Sequence, residues 1–174
     1  MTRVLILYST VDGQTRRIAQ RIEAQLQTQG QQVTLADLSE GAALLPQADK
    51  VVLGASIRYG KFRPELMAFI EANLAALSER PSAFYSVNLV ARKANKNTPQ
   101  TNPYMLKFVA RSPWQPTLLG VFAGKLNYPI YSFWDRQVIR FIMWMTKGPT
   151  AADAVVEYTD WEEVERFAGR VAAL

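Results

Sequence analysis

Val4-Leu5-Ile6-Leu7-Tyr8 is a continuous apolar run, followed at once by Ser9-Thr10-Val11-Asp12-Gly13-Gln14-Thr15. The run reads as a strand buried on both faces. The residues after it lead straight into Gln14–Gln29, where Ile18, Ile22 and Leu26 recur once per turn and Gly30 ends the pattern. That is an amphipathic helix with a stop signal. A strand, a hydroxyl-bearing loop with one Gly, and a helix N-terminus together make an anion site, because free N–H groups and the positive end of the helix dipole point outward. The loop lacks both the Gly-x-Gly-x-x-Gly of dinucleotide folds and the Gly-Lys-Ser/Thr of a P-loop, which disfavours NAD and ATP. The competing reading is a plain strand-to-helix turn with Asp12 as N-cap.

The same alternation continues outward from this stretch. Gln32–Ala36 and Lys50–Gly54 read as strands, Pro64–Ser78 as a helix and Ser82–Val87 as a strand. Thr117–Ala123 is a fifth strand, and Asp160–Leu174 is a closing helix with Trp161, Val164, Phe167, Ala168 and Val171 on one face. Apolar strands alternating with helices predict a parallel α/β sheet covered on both faces. Five strands suit the flavodoxin-like order 2-1-3-4-5. The 174 residues make one domain, with no repeat and no linker.

Cys and His are both absent. Disulfides, thiol nucleophiles, iron–sulfur clusters, zinc fingers and Ser-His-Asp triads are therefore excluded. No metal-ligand residues are singled out in the sequence. Any catalysis must come from carboxylates, Tyr, Lys, Arg, a carboxylate-bound metal or a bound organic cofactor. The first apolar run is too short for a secretory leader, and no stretch is long enough to cross a bilayer, so a cytoplasmic location is expected.

Two later loops strengthen the anion-site reading. The third strand ends in Gly54-Ala55-Ser56-Ile57-Arg58-Tyr59-Gly60, and the fourth in Tyr85-Ser86-Val87-Asn88-Leu89-Val90-Ala91-Arg92. In a parallel sheet these ends lie beside the first loop at the topological switch point, where ligands bind. An aromatic, a Gly and polar backbone there can hold a flat ring next to a phosphate.

The sequence here resembles flavodoxin-type FMN proteins and, more narrowly, the menaquinone-dependent protoporphyrinogen oxidases of bacterial haem synthesis. Five stretches carry the resemblance: Tyr8–Ala19, Val51–Gly60, Pro81–Lys93, Thr98–Asn102 and Tyr158–Trp161. It implies that Ser9, Thr10, Val11, Asp12, Gly13, Gln14 and Thr15 bind the FMN phosphate. It implies that Ala55, Ser56, Ile57, Arg58, Tyr59 and Gly60, with Ser86, Val87, Asn88, Leu89, Val90, Ala91 and Arg92, hold the flavin ring. Asp12 departs from the usual loop, where a hydroxyl residue is common. A carboxylate facing a phosphate repels it, so Asp12 is expected to point away, capping the helix or meeting Arg16. The Trp that often stacks on flavin is missing, leaving Tyr59 or Ile57 for that place.

Residues 88–148 break the strand–helix rhythm and read as an insert. They hold nine of the 20 Lys and Arg but only one acid, Asp135, for a net +8. The rest of the chain is −3, so the overall +5 is unevenly placed. Ala94–Pro103 reads as a loop and Tyr104–Arg111 as a short helix. In Phe133–Lys147, Trp134, Val138, Phe141, Ile142 and Met145 fall on one helical face, widened by Ile139, Met143 and Trp144. Such a helix is either a core or dimer contact or an interfacial membrane helix. The quinone chemistry implied by the resemblance favours a peripheral site on the cytoplasmic side of the inner membrane. Phe133, Trp134, Phe141, Ile142, Trp144 and Met145 are the expected lipid contacts. Nucleic acid is disfavoured, because the basic residues are scattered among large aliphatics.

The resemblance implies oxidation of protoporphyrinogen IX to protoporphyrin IX, with electrons passed to menaquinone or ubiquinone. Arg58, Arg63, Arg92, Lys93 and Lys125 are candidate partners for substrate carboxylates. Arg58, Tyr59 and Tyr128 are the catalytic candidates, the two tyrosines as proton relays. Two alternatives remain: a flavodoxin shuttling electrons between proteins, which the +8 segment disfavours, and a general FMN-dependent quinone reductase.

Overall fold

A computed structural model describes residues 1–174. Its centre is β1 (Arg3–Ser9), flanked by β2 (Gln32–Asp37) and β3 (Lys50–Arg58), with β5 (Ser82–Asn88) and β6 (Leu118–Ala123) beyond. All four pairings are parallel, and the spatial order β2-β1-β3-β5-β6 is the expected 2-1-3-4-5 arrangement once the short β4 (Lys61–Phe62) is set aside.

Strand alternation sends successive side chains into two cores. Leu5, Leu7, Val51, Leu53 and Phe84 face α3 (Pro64–Ala72), α4 (Leu74–Ser78) and α5 (Pro103–Arg111). Val4, Ile6, Val52, Ala83 and Tyr85 face α1 (Gln14–Thr28) and α7 (Trp161–Ala172). A single turn of helix, α2 (Gly41–Leu44), lies between β2 and β3.

Two expected elements are altered, each for a local reason. The helix read over Pro64–Ser78 breaks at Asn73, whose side-chain amide donates to the Phe69 carbonyl at 2.9 Å and leaves helical geometry. The third strand runs past Gly54 to Arg58 because its end folds back on β4 in an antiparallel hairpin, pairing Ile57 with Phe62 and Arg58 with Lys61. The two turn residues, Tyr59 and Gly60, have φ of 55° and 78°. These are the positive angles of a type I′ turn, natural for Gly and strained for Tyr.

The basic stretch 88–148 divides in two. Its helix α5 buries Met105 and Phe108 on the sheet, in the crossover between β5 and β6. The part after β6 makes a unit of its own. There β7 (Lys125–Asn127) pairs antiparallel with β8 (Val155–Glu157), and α6 (Phe133–Met145) lies between them. Leu126, Tyr128, Tyr131, Ile139 and Met143 form its small core. No helix is long and apolar enough to cross a membrane.

Candidate functional site

The register brings Ser9 opposite Ala55, Ser56 opposite Val87, and Asn88 opposite Ala123, so the C-terminal ends of β1, β3, β5 and β6 share one edge of the sheet. A pocket opens there. Fifteen of the twenty residues expected to hold a cofactor line it: Thr10, Val11, Asp12, Gln14, Thr15, Ser56 to Gly60, Val87 to Val90, and Arg92.

The other five do not reach its surface. Ser9, Ala55, Ser86 and Ala91 are buried beneath it. Gly13 lies outside the lining and shapes the turn, with φ at 94° and its N–H donating to Thr10 Oγ1 at 2.9 Å. The wall also holds residues that sequence reading missed, among them Tyr104, Tyr131, Ile139, Ile142, Met143 and Thr146. Thr98–Asn102 was the available signal for the α5 side, because Asn102 builds the turn that precedes Tyr104. Its Oδ1 accepts from the N–H groups of Tyr104 and Met105, both at 3.2 Å.

Two buried hydroxyls in this wall, Thr15 Oγ1 and Ser56 Oγ, have no hydrogen-bond partner. An unsatisfied buried polar group costs about 1–3 kcal/mol. One belongs to the first turn of α1, where the helix also leaves N–H groups unpaired, and the other to the end of β3. They fit a ligand with a phosphate at the helix and polar atoms over the strand ends, which FMN has.

Asp12 neither caps α1 nor meets Arg16. The N-cap is Gly13, with no side-chain bond, and the Asp12 carboxylate pairs with Arg58. Arg58 Nη1 also reaches Asp135 Oδ2 at 3.4 Å, and its guanidinium lies over the Tyr131 ring at 5.2 Å. Arg58 is thus committed to two carboxylates and is not a free partner for substrate. The pairing also accounts for the one acid in the basic segment.

Gln14 is committed as well. Its side-chain amide donates to Glu157 Oε1 and Thr159 Oγ1, each at 2.9 Å. The Gln14 hydrogen bond and Arg17 hold the Glu157 carboxyl below its ordinary range against the opposing effect of burial. Arg92 donates to the Leu89 carbonyl at 2.9 Å and, at 3.1 and 3.0 Å, to the carbonyl and hydroxyl of Thr146 just past α6. Asn88 takes the Ala91 N–H on its Oδ1 at 3.0 Å and the Asn102 amide at 3.1 Å, which shapes the turn after β5.

Tyr128 lies outside the pocket. It is fully buried, its hydroxyl donates to the Pro149 carbonyl at 2.6 Å, and burial pushes its phenol up. It is a packing residue of the satellite core and no proton relay. Tyr59 stands on the pocket rim, 45% exposed. Of the other candidate cations, Lys125 lines the pocket, Arg63 lines a neighbouring groove, and Lys93 lines neither. Helix α6 turns Ile139 and Met143 inward and leaves Phe133, Trp134, Phe141, Ile142, Trp144 and Met145 exposed.

The family model for the flavodoxin domain matches residues 5–153. The chain is 47% identical over 174 residues to protoporphyrinogen IX dehydrogenase [quinone] of Leishmania major, covering 99% of this chain and 75% of that protein. It is 46% identical over 175 residues to the protein of the same name from Escherichia coli (strain K12), covering 99% and 96%. This chain belongs to the flavodoxin-like protoporphyrinogen IX dehydrogenase family. Both relatives are named as dehydrogenases, and the chain is an oxidoreductase. Among solved structures, oxidised flavodoxin 1 from Bacillus cereus has the same fold, with a TM-score of 0.58, 13% identity, and 99% and 98% of the two chains covered. The flavodoxin domain and its structural neighbours point to FMN as the cofactor.

Proposed function

We propose that this protein oxidises protoporphyrinogen IX to protoporphyrin IX with FMN as cofactor and menaquinone as electron acceptor, working at a membrane surface. The observation that carries the reading is the near-full-length identity to relatives named for that reaction with a quinone. The pocket supports it.

FMN, when bound, would take electrons from the substrate in successive two-electron steps, each passed on to a quinone before the next, until the porphyrinogen is fully oxidised. The first turn of α1, with the hydroxyls of Thr10 and Thr15, holds the phosphate. Ser56 to Tyr59, Asn88 to Val90 and Arg92 would hold the ring, with Tyr59 as the stacking side chain. Ile139, Ile142 and Met143 would give the pocket an apolar wall on its α6 side and exclude water there. Arg58 cancels the Asp12 charge beside the phosphate.

Two arginines in the pocket wall pin both ends of α6, through Asp135 and through Thr146. The same helix therefore closes the pocket on its inner face and carries an exposed aromatic face, with Trp134 76% and Trp144 70% exposed. Aromatic side chains flanked by cations favour a lipid–water interface. A quinone dissolved in a bilayer then meets the pocket beside α6, on the cytoplasmic leaflet of the inner membrane.

The test is purification with FMN, followed by porphyrin fluorescence on adding protoporphyrinogen IX and a menaquinone analogue. Porphyrin formed at a rate that depends on the quinone supports the reading. FMN binding without porphyrin formation overturns it in favour of an electron carrier. For the membrane, Trp134→Glu/Trp144→Glu is expected to abolish co-sedimentation with anionic vesicles while leaving the flavin spectrum unchanged. Retained vesicle binding refutes the surface assignment.

A further inference from the structure

Beside the FMN pocket lies a second groove, of about 520 Å³. Ile57, Tyr59, Gly60 and Tyr104 line both cavities, so the groove begins where the pocket rim ends. Its volume falls in the range of small-molecule sites. The floor is apolar, with Ile57, Phe62, Leu66, Met67 and Phe108. The sides carry four cations, Lys61, Arg63, Lys107 and Arg111, against one carboxylate, Glu71.

These cations are not spent on the fold. Arg63 is the exception: it lies 3.5 Å from Glu65 and donates to the Thr10 carbonyl at 3.2 Å. Lys61, Lys107 and Arg111 are exposed and take part in no ion pair. Lys107 and Arg111 sit four residues apart on α5, hence on one face, where like charges repel and weaken the helix slightly. That unfavourable pair is relieved by an anion placed between them. Lys61 faces the same groove from β4.

An apolar trough with unpaired cations along its edge suits a flat hydrophobic molecule bearing carboxylates. A quinone is neutral and has no use for them. We propose that this groove holds the propionate edge of the tetrapyrrole, with Lys107 and Arg111 taking one carboxylate, Lys61 the other, and the macrocycle lying on Ile57, Phe62 and Met67 beside Tyr59. The assignment rests on the functional reading above. It moves the substrate contacts away from Arg58 and Arg92, which are committed to Asp12 and Thr146.

The test uses the FMN-loaded protein, with protoporphyrin IX as the binding probe and its dimethyl ester as the uncharged comparator. In Lys107→Glu/Arg111→Glu and in Lys61→Glu, the Kd for protoporphyrin IX and the KM for protoporphyrinogen IX are each expected to rise about tenfold or more. The flavin spectrum stays unchanged, and kcat stays within about twofold. The ester binds wild type more weakly than the diacid and does not respond to the charge reversals. Unchanged porphyrin affinity in the variants, or an ester that binds wild type as tightly as the diacid, overturns the groove assignment while the activity stands. Displacement of the porphyrin by NADPH or by a menaquinone analogue gives the groove to that ligand and also overturns it. A wild type that makes no porphyrin overturns the functional reading, and this one with it.

Discussion

Arg58, at the end of β3, is ion-paired with Asp12 in the loop that follows β1, 46 residues away. The pair places a cation beside the one carboxylate that borders the expected phosphate site. Arg58→Ala leaves that carboxylate uncompensated, and FMN affinity is expected to fall about tenfold, the size of one added charge repulsion in a partly shielded site. Asp12→Asn in the same background is expected to restore most of it, and Asp12→Asn alone to match or exceed wild type. Flavin fluorescence titration of the four proteins closes the cycle. Equal affinities throughout would remove the neutralising role.

Tyr59 keeps a left-handed backbone in a turn where Gly60 does so without strain. A non-Gly residue there costs about 1–2 kcal/mol. Tyr59→Gly is expected to raise the unfolding free energy by about 1 kcal/mol in urea. The same change is expected to weaken FMN binding several-fold, since the strained turn presents the ring at the pocket rim. Stability and affinity moving together would show that Tyr59 has no part in holding the flavin.

A side chain on Gly54 would run into the Tyr85 ring behind it. Tyr85 is fully buried, its hydroxyl donates to the Thr15 carbonyl at 3.0 Å, and burial pushes its phenol far up. It ties β5 to the first turn of α1. Gly54→Ala is expected to cost about 3 kcal/mol through overpacking, and Tyr85→Phe about 1 kcal/mol through the lost hydrogen bond. Urea midpoints measure both. A neutral Gly54→Ala would contradict the packing described.

Asp49 accepts from the Arg3 backbone N–H at 2.8 Å and from its guanidinium at 3.0 Å. The Arg3 side-chain hydrogen bond is the main cause that lowers the Asp49 carboxyl from 3.8 to about 2. Its folded value lies below its unfolded one, so its stabilising contribution is complete above about pH 4 and disappears as the pH falls to about 2. Asp49→Asn is expected to flatten the stability-against-pH curve in that window and to leave its shape unchanged near neutrality. An unaltered acid limb would show that the pair contributes nothing.

Much of this protein is legible in local pattern. Val4–Tyr8 and Val51–Leu53 are apolar without a break, and Ser82–Val87 is broken only by serines, because both faces of a parallel sheet are covered, and the helices show their buried stripe once per turn. Those signals depend on neighbours within a few residues, so they place the strands, the switch point and the three loops that meet there. The absence of Cys and His narrows the chemistry in the same local way.

The partners of polar groups depend on approach across the fold, and only the tertiary structure decided them. Asp12 could cap a helix, meet Arg16 or meet Arg58, and the β3 hairpin makes the third the short distance. Strands β4, β7 and β8 are two or three residues long, too short to display a period, and exist because a partner strand is there. In α6 every side of the helix carries large apolar residues, so periodicity could not choose the inward face. Packing against Leu126 and Tyr131 chose Ile139 and Met143 and left Trp134 and Trp144 outside. Local sequence set the elements because backbone conformation and burial periodicity are short-range. Tertiary packing set which charges meet and which apolar surface stays uncovered, because both depend on residues far apart in the chain.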